Sequence, residues 1–162
     1  VIPSHLHFDH AGGLYLFPHA TLFAGPGELA HAWWPPRAAR PYYMLEDLLP
    51  TREFEWVELG GDFDLFGDGS VLLLHTPGHT PGGLALLVRL PNRSILFTGD
   101  ACHWRLEMQR GQPMFGVSDN DTQGTQSMLR MRSIAQLYGA EIWINHDPDD
   151  WAAWPHAPQS ID

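Results

Sequence analysis

The stretch that decides the reading of this chain is SHLHFDHAGG, Ser4 to Gly13. Four of its residues, His5, His7, Asp9 and His10, can bind a transition metal. In extended backbone, residues i and i+2 project to the same side, so His5 and His7 can grip one ion together. Asp9 and His10 follow where the chain bends toward Gly12 and Gly13, point elsewhere, and suit a second ion. Taken singly, each has an ordinary reading: His5 and His7 as a loop pair, Asp9 as a helix cap. Their weight comes from residues much further along.

Three more ligand-type residues recur in one setting. His79 lies in HTPGHTPGG after the apolar strand Val71–His75, Asp100 in ILFTGDA after Ser94–Thr98, and His146 in IWINHDP after Glu141–Ile144. The opening motif sits the same way behind Val1-Ile2, which reads as the end of a strand. Loops at strand ends can converge on one edge of a sheet, where functional residues are commonly held. Pro77, Gly78, Pro81, Gly82 and Gly83 make a tight turn around His79 that lets backbone pass close to a metal centre. Seven His and carboxylate ligands exceed the four that one zinc takes, and suit two ions sharing a carboxylate. Imidazole with carboxylate fits Zn2+ best, with Fe, Mn or Co as alternatives.

Composition agrees with a folded unit. The 162 residues are 44% hydrophobic and 17% charged, enough for one domain with a core. Ten histidines stand beside nine basic residues, all of them Arg, and 19 acidic ones, a formal charge of −10. That balance argues against a nucleic-acid partner, which needs a basic surface. No apolar run is long enough to span a membrane. The single cysteine, Cys102, excludes an internal disulfide and reads as a small buried hydrophobe. The chain opens on Val1 with no signal peptide in view, so it reads as a piece lacking an upstream part, with a cytoplasmic location expected.

The expected elements are a helical turn at Asp9–Gly13, a strand at Ala20–Ala24, and a helix from about Gly25 to Trp34. A short helix at Tyr42–Leu49 and a strand at Phe54–Leu59 follow, then a turn at Gly67–Ser70. Strands at Val71–His75, Leu84–Leu90 and Ser94–Thr98 precede an irregular loop over Ala101–Asn120. Asp121–Tyr138 is the longest helix, with Met128, Leu129, Met131, Ile134, Ala135, Leu137 and Tyr138 as its apolar face and Gly139 as its stop. A last strand at Glu141–Ile144 leads to a Pro- and Trp-rich tail. This is one α/β (α+β) unit with more strand than helix.

HLHFDH fits the H-x-H-x-D-H signature of the metallo-β-lactamase superfamily, with His79, Asp100 and His146 in the family's order. SHLHFDHAGG, TPGHTPG, LFTGDA and HDPDDW are similar to the N-acyl-homoserine lactonase branch, and the resemblance covers essentially the whole chain. True β-lactamases usually lack the D-H ending and carry a Cys ligand, which has no match here. The resemblance implies a four-layer αβ/βα sandwich with a dinuclear site at one edge of its two sheets. His5, His7 and His79 would hold one ion, Asp9, His10 and His146 the other, and Asp100 would bridge them. The family fold also has a strand-rich half before the first motif. Residues 1–162 would then be a single hydrolase domain, the C-terminal larger part of that fold, with its first sheet short of strands and left with open edges.

The implied activity is a two-zinc hydrolase that opens a lactone ring. Two ions roughly 3.5–4 Å apart would bridge a water and turn it into hydroxide near neutral pH. N-acyl-homoserine lactones are the expected substrates, which would make the activity quorum quenching, and no covalent nucleophile is needed. Asp9 and Asp100 are the carboxylates near enough to shuttle a proton to the leaving group. His103 stands where this branch often has a Tyr aimed at the substrate carbonyl; it would either donate a hydrogen bond there or be a loop residue. Gly83 replaces a more usual His-containing continuation. Thioester hydrolysis of the hydroxyacylglutathione hydrolase type, another esterase activity, or an inactive truncated remnant are the alternatives. Trp34, Tyr42 and Tyr43 can wall an acyl pocket, with Trp33 as core cover. Asp147 reads either as a partner orienting a ligand or as a turn residue before Pro148.

Overall fold

The central strands are apolar along nearly their whole length, as strands covered on both faces must be. The computed structural model describes residues 1–114, 116, 118–156 and 158–161. A small sheet pairs β1 (Leu22–Ala24) with β2 (Trp56–Glu58) in parallel. A larger one has the order β3 (Phe63–Asp64), β4 (Val71–His75), β5 (Leu84–Arg89), β6 (Ser94–Phe97) and β7 (Ala140–Trp143). Its pairs are antiparallel except β6 with β7, which is parallel through the long helix between them.

Period-two alternation sorts the side chains into layers. Leu74, Ala85, Leu87 and Leu96 face the long helix and pack on its Met128, Met131 and Ala135. Leu73 and Leu84 point the other way, into a layer shared with Leu59, Ile2 and Phe23 between the sheets. On the far side of β1, Leu22 packs under α1 (Phe8–Ala11), α2 (Glu28–Trp33) and α3 (Leu45–Leu48), against Ala11, Ala32 and Leu48. The order is helices, small sheet, large sheet, helices.

The next helices are α4 (Arg105–Arg110), α5 (Asp121–Tyr138) and α6 (Pro148–Ala153). α5 has the bounds expected of it. The Asn120 side chain accepts from Gln123 N–H at its start, and Gly139 at φ 58° closes it in the left-handed conformation. Its buried stripe is narrower than expected: Leu129, Leu137 and Tyr138 are exposed. No helix among the described residues is long and apolar enough to cross a membrane.

Several expectations need correction. Helical residues outnumber strand residues among those described. The expected irregular loop contains α4, and the tail contains α6. The start of α4 escapes notice because its N-cap is Trp104, a poor capping residue. The caps come from the Glu107 carboxylate reaching back to Trp104 N–H (2.9 Å) and from Asp147, which accepts Arg105 N–H at 2.8 Å. α6 begins on Pro148, whose missing N–H costs nothing in a first turn. Val1-Ile2 is not a strand, although Val1 does bond the β1 segment, donating to Thr21 C=O and accepting from Phe23 N–H.

Candidate metal centre

Each ligand-bearing loop is tied to the core by its backbone. Ser4 C=O accepts from Leu84 N–H (2.8 Å), which lays the opening loop along β5. Immediately after His7 the chain turns into α1, with His10 and Ala11 N–H both donating to His7 C=O, and the turn brings the His10 ring back to 4.1 Å from that of His5. The turn holding His79 is closed by Thr76 N–H on Gly83 C=O (2.8 Å) and is pinned to α5 by Ser127 Oγ on Pro77 C=O (2.6 Å). Gly78 allows that contact, since a Cβ there would stand 2.3 Å from Gly124 N. Asp100 lies in a short turn over Gly99–Ala101, and Thr98 Oγ1 bonds the backbone around it.

These loops converge. Asp100 is 7% exposed and lies at the middle of a histidine cluster. Its Oδ2 is 3.1 Å from His146 Nε2, 3.3 Å from His103 Nε2, 3.5 Å from His79 Nε2 and 3.9 Å from His5 Nε2. Its Oδ1 is 3.3 Å from His10 Nε2 and accepts from Asn145 Nδ2 at 3.1 Å. Asp9 Oδ2 is 3.6 Å from His10 Nε2 and 3.9 Å from His146 Nε2. The ligand atoms of His5, His7 and His79 lie within 4.8 Å of one another, and so do those of Asp9, His10 and His146. His5, His10 and Asp100 form a grouping of their own, which joins a member of each trio expected from the sequence. A further grouping, His79, Asp100 and His103, adds a histidine that the resemblance does not place among the ligands.

The donor atoms have the character of metal ligands. His5 Nε2 and His10 Nε2 are buried against Asp100, the first at 3.9 Å and the second at 3.3 Å, and a buried nitrogen without a well-formed hydrogen bond is costly unless something binds it. Their Nδ1 atoms both lie 3.1 Å from Ser4 Oγ. A hydroxyl oxygen has two lone pairs, so it can accept both Nδ1–H groups and leave both Nε2 lone pairs free. His7 Nδ1 faces His79 Nε2 at 3.1 Å. Burial, with His79 adding to it, lowers His7 to about 3, and burial lowers His5 well below its ordinary value; both rings are neutral near pH 7. Burial alone would raise Asp100, but His10, His103, His146 and His5 hold it well below the carboxylate range. His146 is raised by its contact with Asp100.

A cavity of about 260 Å³ opens over this cluster. Asp9, His79, Asp100, His103 and His146 floor it, while Phe8, Tyr42 and Asp119 stand around it. None of the described lining residues is Arg. His103 faces the cavity, with its ring stacked on His146 and its Nδ1 4.0 Å from Glu107. Tyr42 walls the cavity, Tyr43 is buried against His7, and Trp34 is exposed and away from it. Asp147 does not orient a ligand among the described contacts: its carboxylate caps α6 at Asp149 N–H and holds Arg105 N–H. Cys102 is fully buried, and burial pushes its thiol up to about 12. Sequence reasoning passes over Ser4, Glu28, Asn145, Phe8 and Asp119. Only Ser4 and Phe8 carry a local signal, by lying inside the opening motif.

Comparison with known proteins agrees with the motifs. The model of the metallo-beta-lactamase superfamily matches residues 1–141. The N-acyl homoserine lactonase AttM of Rhizobium radiobacter is 36% identical over 168 residues, covering 98% of this chain and 62% of the relative. The N-acyl homoserine lactonase AiiA of Bacillus thuringiensis subsp. kurstaki is 30% identical over 148 residues, covering 91% and 55%. A solved N-acyl homoserine lactone hydrolase, with N-hexanoyl-L-homoserine bound at its catalytic metal center, superposes with a TM-score of 0.85 at 28% identity. That match covers 99% of this chain and 60% of the solved one. The chain therefore spans about three fifths of the length of these lactonases.

Proposed function

The chain belongs to the metallo-beta-lactamase superfamily, and from that premise we propose that it carries the catalytic centre of a two-zinc lactone hydrolase acting on N-acyl-homoserine lactones. The observation that carries this reading is the convergence of buried imidazole nitrogens on one carboxylate, with His5 Nε2 3.9 Å and His10 Nε2 3.3 Å from Asp100. His5, His7 and His79 would hold one ion, Asp9, His10 and His146 the second, and Asp100 would contact both. When bound, such ions supply Lewis acidity toward an ester carbonyl and lower the pKa of water.

The protein's own groups do the rest. Phe8 and Tyr42 offer apolar surface to an acyl chain at the cavity wall. His103, whose Nε2 lies 3.3 Å from Asp100 Oδ2 at the cavity floor, would donate its Nε2–H to the ester carbonyl oxygen. Water would give up a proton to Asp9 Oδ2 or Asp100 as its oxygen bonds the carbonyl carbon, the ring C–O bond would break, and the same carboxyl would pass that proton to the departing alkoxide, giving the ring-opened hydroxy acid. The absence of Arg among the described lining residues favours a neutral lactone over a glutathione thioester, whose carboxylates would call for cations. The test is metal analysis of the purified chain with a ring-opening assay. About two ions per chain and product formation, both lost in Asp100→Asn, are expected; a chain that binds no metal, or full activity in Asp100→Asn, overturns the reading.

A further inference from the structure

Glu28 is the most deeply buried acidic residue among those described, at 1% exposure, and the chemistry above makes no use of it. It opens α2, and its two oxygens are divided between two distant segments. Oε1 accepts Leu6 N–H at 2.9 Å, and Oε2 accepts Gly82 N–H at 3.0 Å. Leu6 lies between His5 and His7; Gly82 lies in the turn that carries His79. Fixing those two peptides fixes the origins of three imidazoles. The segments meet backbone to backbone: a Cβ on Gly82 would stand 2.4 Å from Glu28 Cβ, and one on Gly25 would stand 2.0 Å from Gly82 C=O. Among the described residues, Glu28 makes no hydrogen bond to Asp9, His10 or His146 themselves.

Resting on the metal-centre reading above, we propose that Glu28 is a positioning residue for one ion only, the one held by His5, His7 and His79. Two N–H donors need two acceptors, which a carboxylate has and a carboxamide lacks, since the amide would turn its own NH2 against one donor. A buried carboxylate is expensive, and its bonds to the two buried N–H groups recover part of that cost. The expense is offset if the junction holds a trio in binding geometry and puts a negative charge behind a dication.

The test uses the whole chain as wild type, Glu28→Gln and Glu28→Ala. Metal-free protein is titrated with Zn2+ against a chromophoric chelator, Co2+ absorption spectra report ligand geometry, and the melting temperature is read without metal. Glu28→Gln is expected to weaken one of the two equivalents by about 10–100-fold, alter one Co2+ signature, and leave the other equivalent unchanged. Unchanged affinity for both ions, or a parallel loss of both that tracks a lowered metal-free melting temperature, overturns the proposal. Should neither variant fold, amide exchange of the metal-free wild type decides: slow Leu6 and Gly82 N–H support it, and freely exchanging ones overturn it. A wild-type chain with no zinc affinity overturns the underlying reading, and this inference with it, and is distinguished from the other outcomes by the wild-type titration itself.

Discussion

Ser4→Ala removes one oxygen and should weaken both ions together. The Ser4 hydroxyl lies 3.1 Å from His5 Nδ1 and 3.1 Å from His10 Nδ1, and those rings belong to different trios. For either Nε2 to ligate an ion, the ring proton must sit on Nδ1, where it needs an acceptor. One such hydrogen bond is worth about 1 kcal/mol net, so losing two costs about 2 kcal/mol in the doubly loaded state. At a factor of ten per 1.4 kcal/mol, that is roughly fivefold per ion and about 30-fold for the pair. The metal-free chain suffers less, because its imidazoles can shift the proton to Nε2, and Ser4 and His10 also border a second cavity of about 240 Å³ that water can enter. Stepwise zinc affinities of wild type and variant, measured by chelator competition, decide the matter. Affinities unchanged within about twofold, or a loss confined to one ion, would refute the assignment of Ser4 as the shared acceptor.

Two other outcomes follow from the same geometry. Without metal, stability should fall as pH drops below about 6.5, because unfolded histidines take up protons there while folded His7 stays neutral down to about 3 and His5 is lowered as well. The raised His146 works in the opposite sense, adding stability that is lost as pH rises through its folded value, but that loss falls above about pH 6.5 and leaves the lower window to His5 and His7. Below about pH 6 the slope from the two lowered histidines approaches about 2.7 kcal/mol per pH unit, and a melting temperature that holds or rises between about pH 6.5 and 5 would contradict it. Asp147→Ala removes the acceptor for Asp149, Asp150 and Arg105 N–H and should cost about 1–2 kcal/mol in a denaturant melt. Its zinc content should match wild type; a loss of metal would restore Asp147 to a role in orienting a ligand.

Ligand-type residues are legible in a sequence because few residue types bind metals and because spacing along extended backbone determines which side they face. His5 and His7 two apart, and His79, Asp100 and His146 each just past an apolar strand, need no knowledge of the fold to stand out. The same holds for β4, β5 and β6, whose apolar runs reflect cover on both faces, and for α5, whose Asn120 cap and Gly139 stop are local. α4 is hidden because its caps are not local: one of the carboxylates at its start is Asp147, 42 residues away. Glu28 is hidden for the same reason. In the sequence it is an acid in a first helical turn, a common solvated position; its burial and its bonds to segments 22 and 54 residues away exist only once the chain is folded. The division has a physical consequence. The ligand types say which ion chemistry a chain can offer, whereas acceptors such as Ser4 and Glu28 govern how well the lone pairs are aimed before an ion arrives. Ser4→Ala and Glu28→Gln keep all seven ligand-type side chains, so any affinity they lose measures that aiming, shared between the ions in the first case and confined to one in the second.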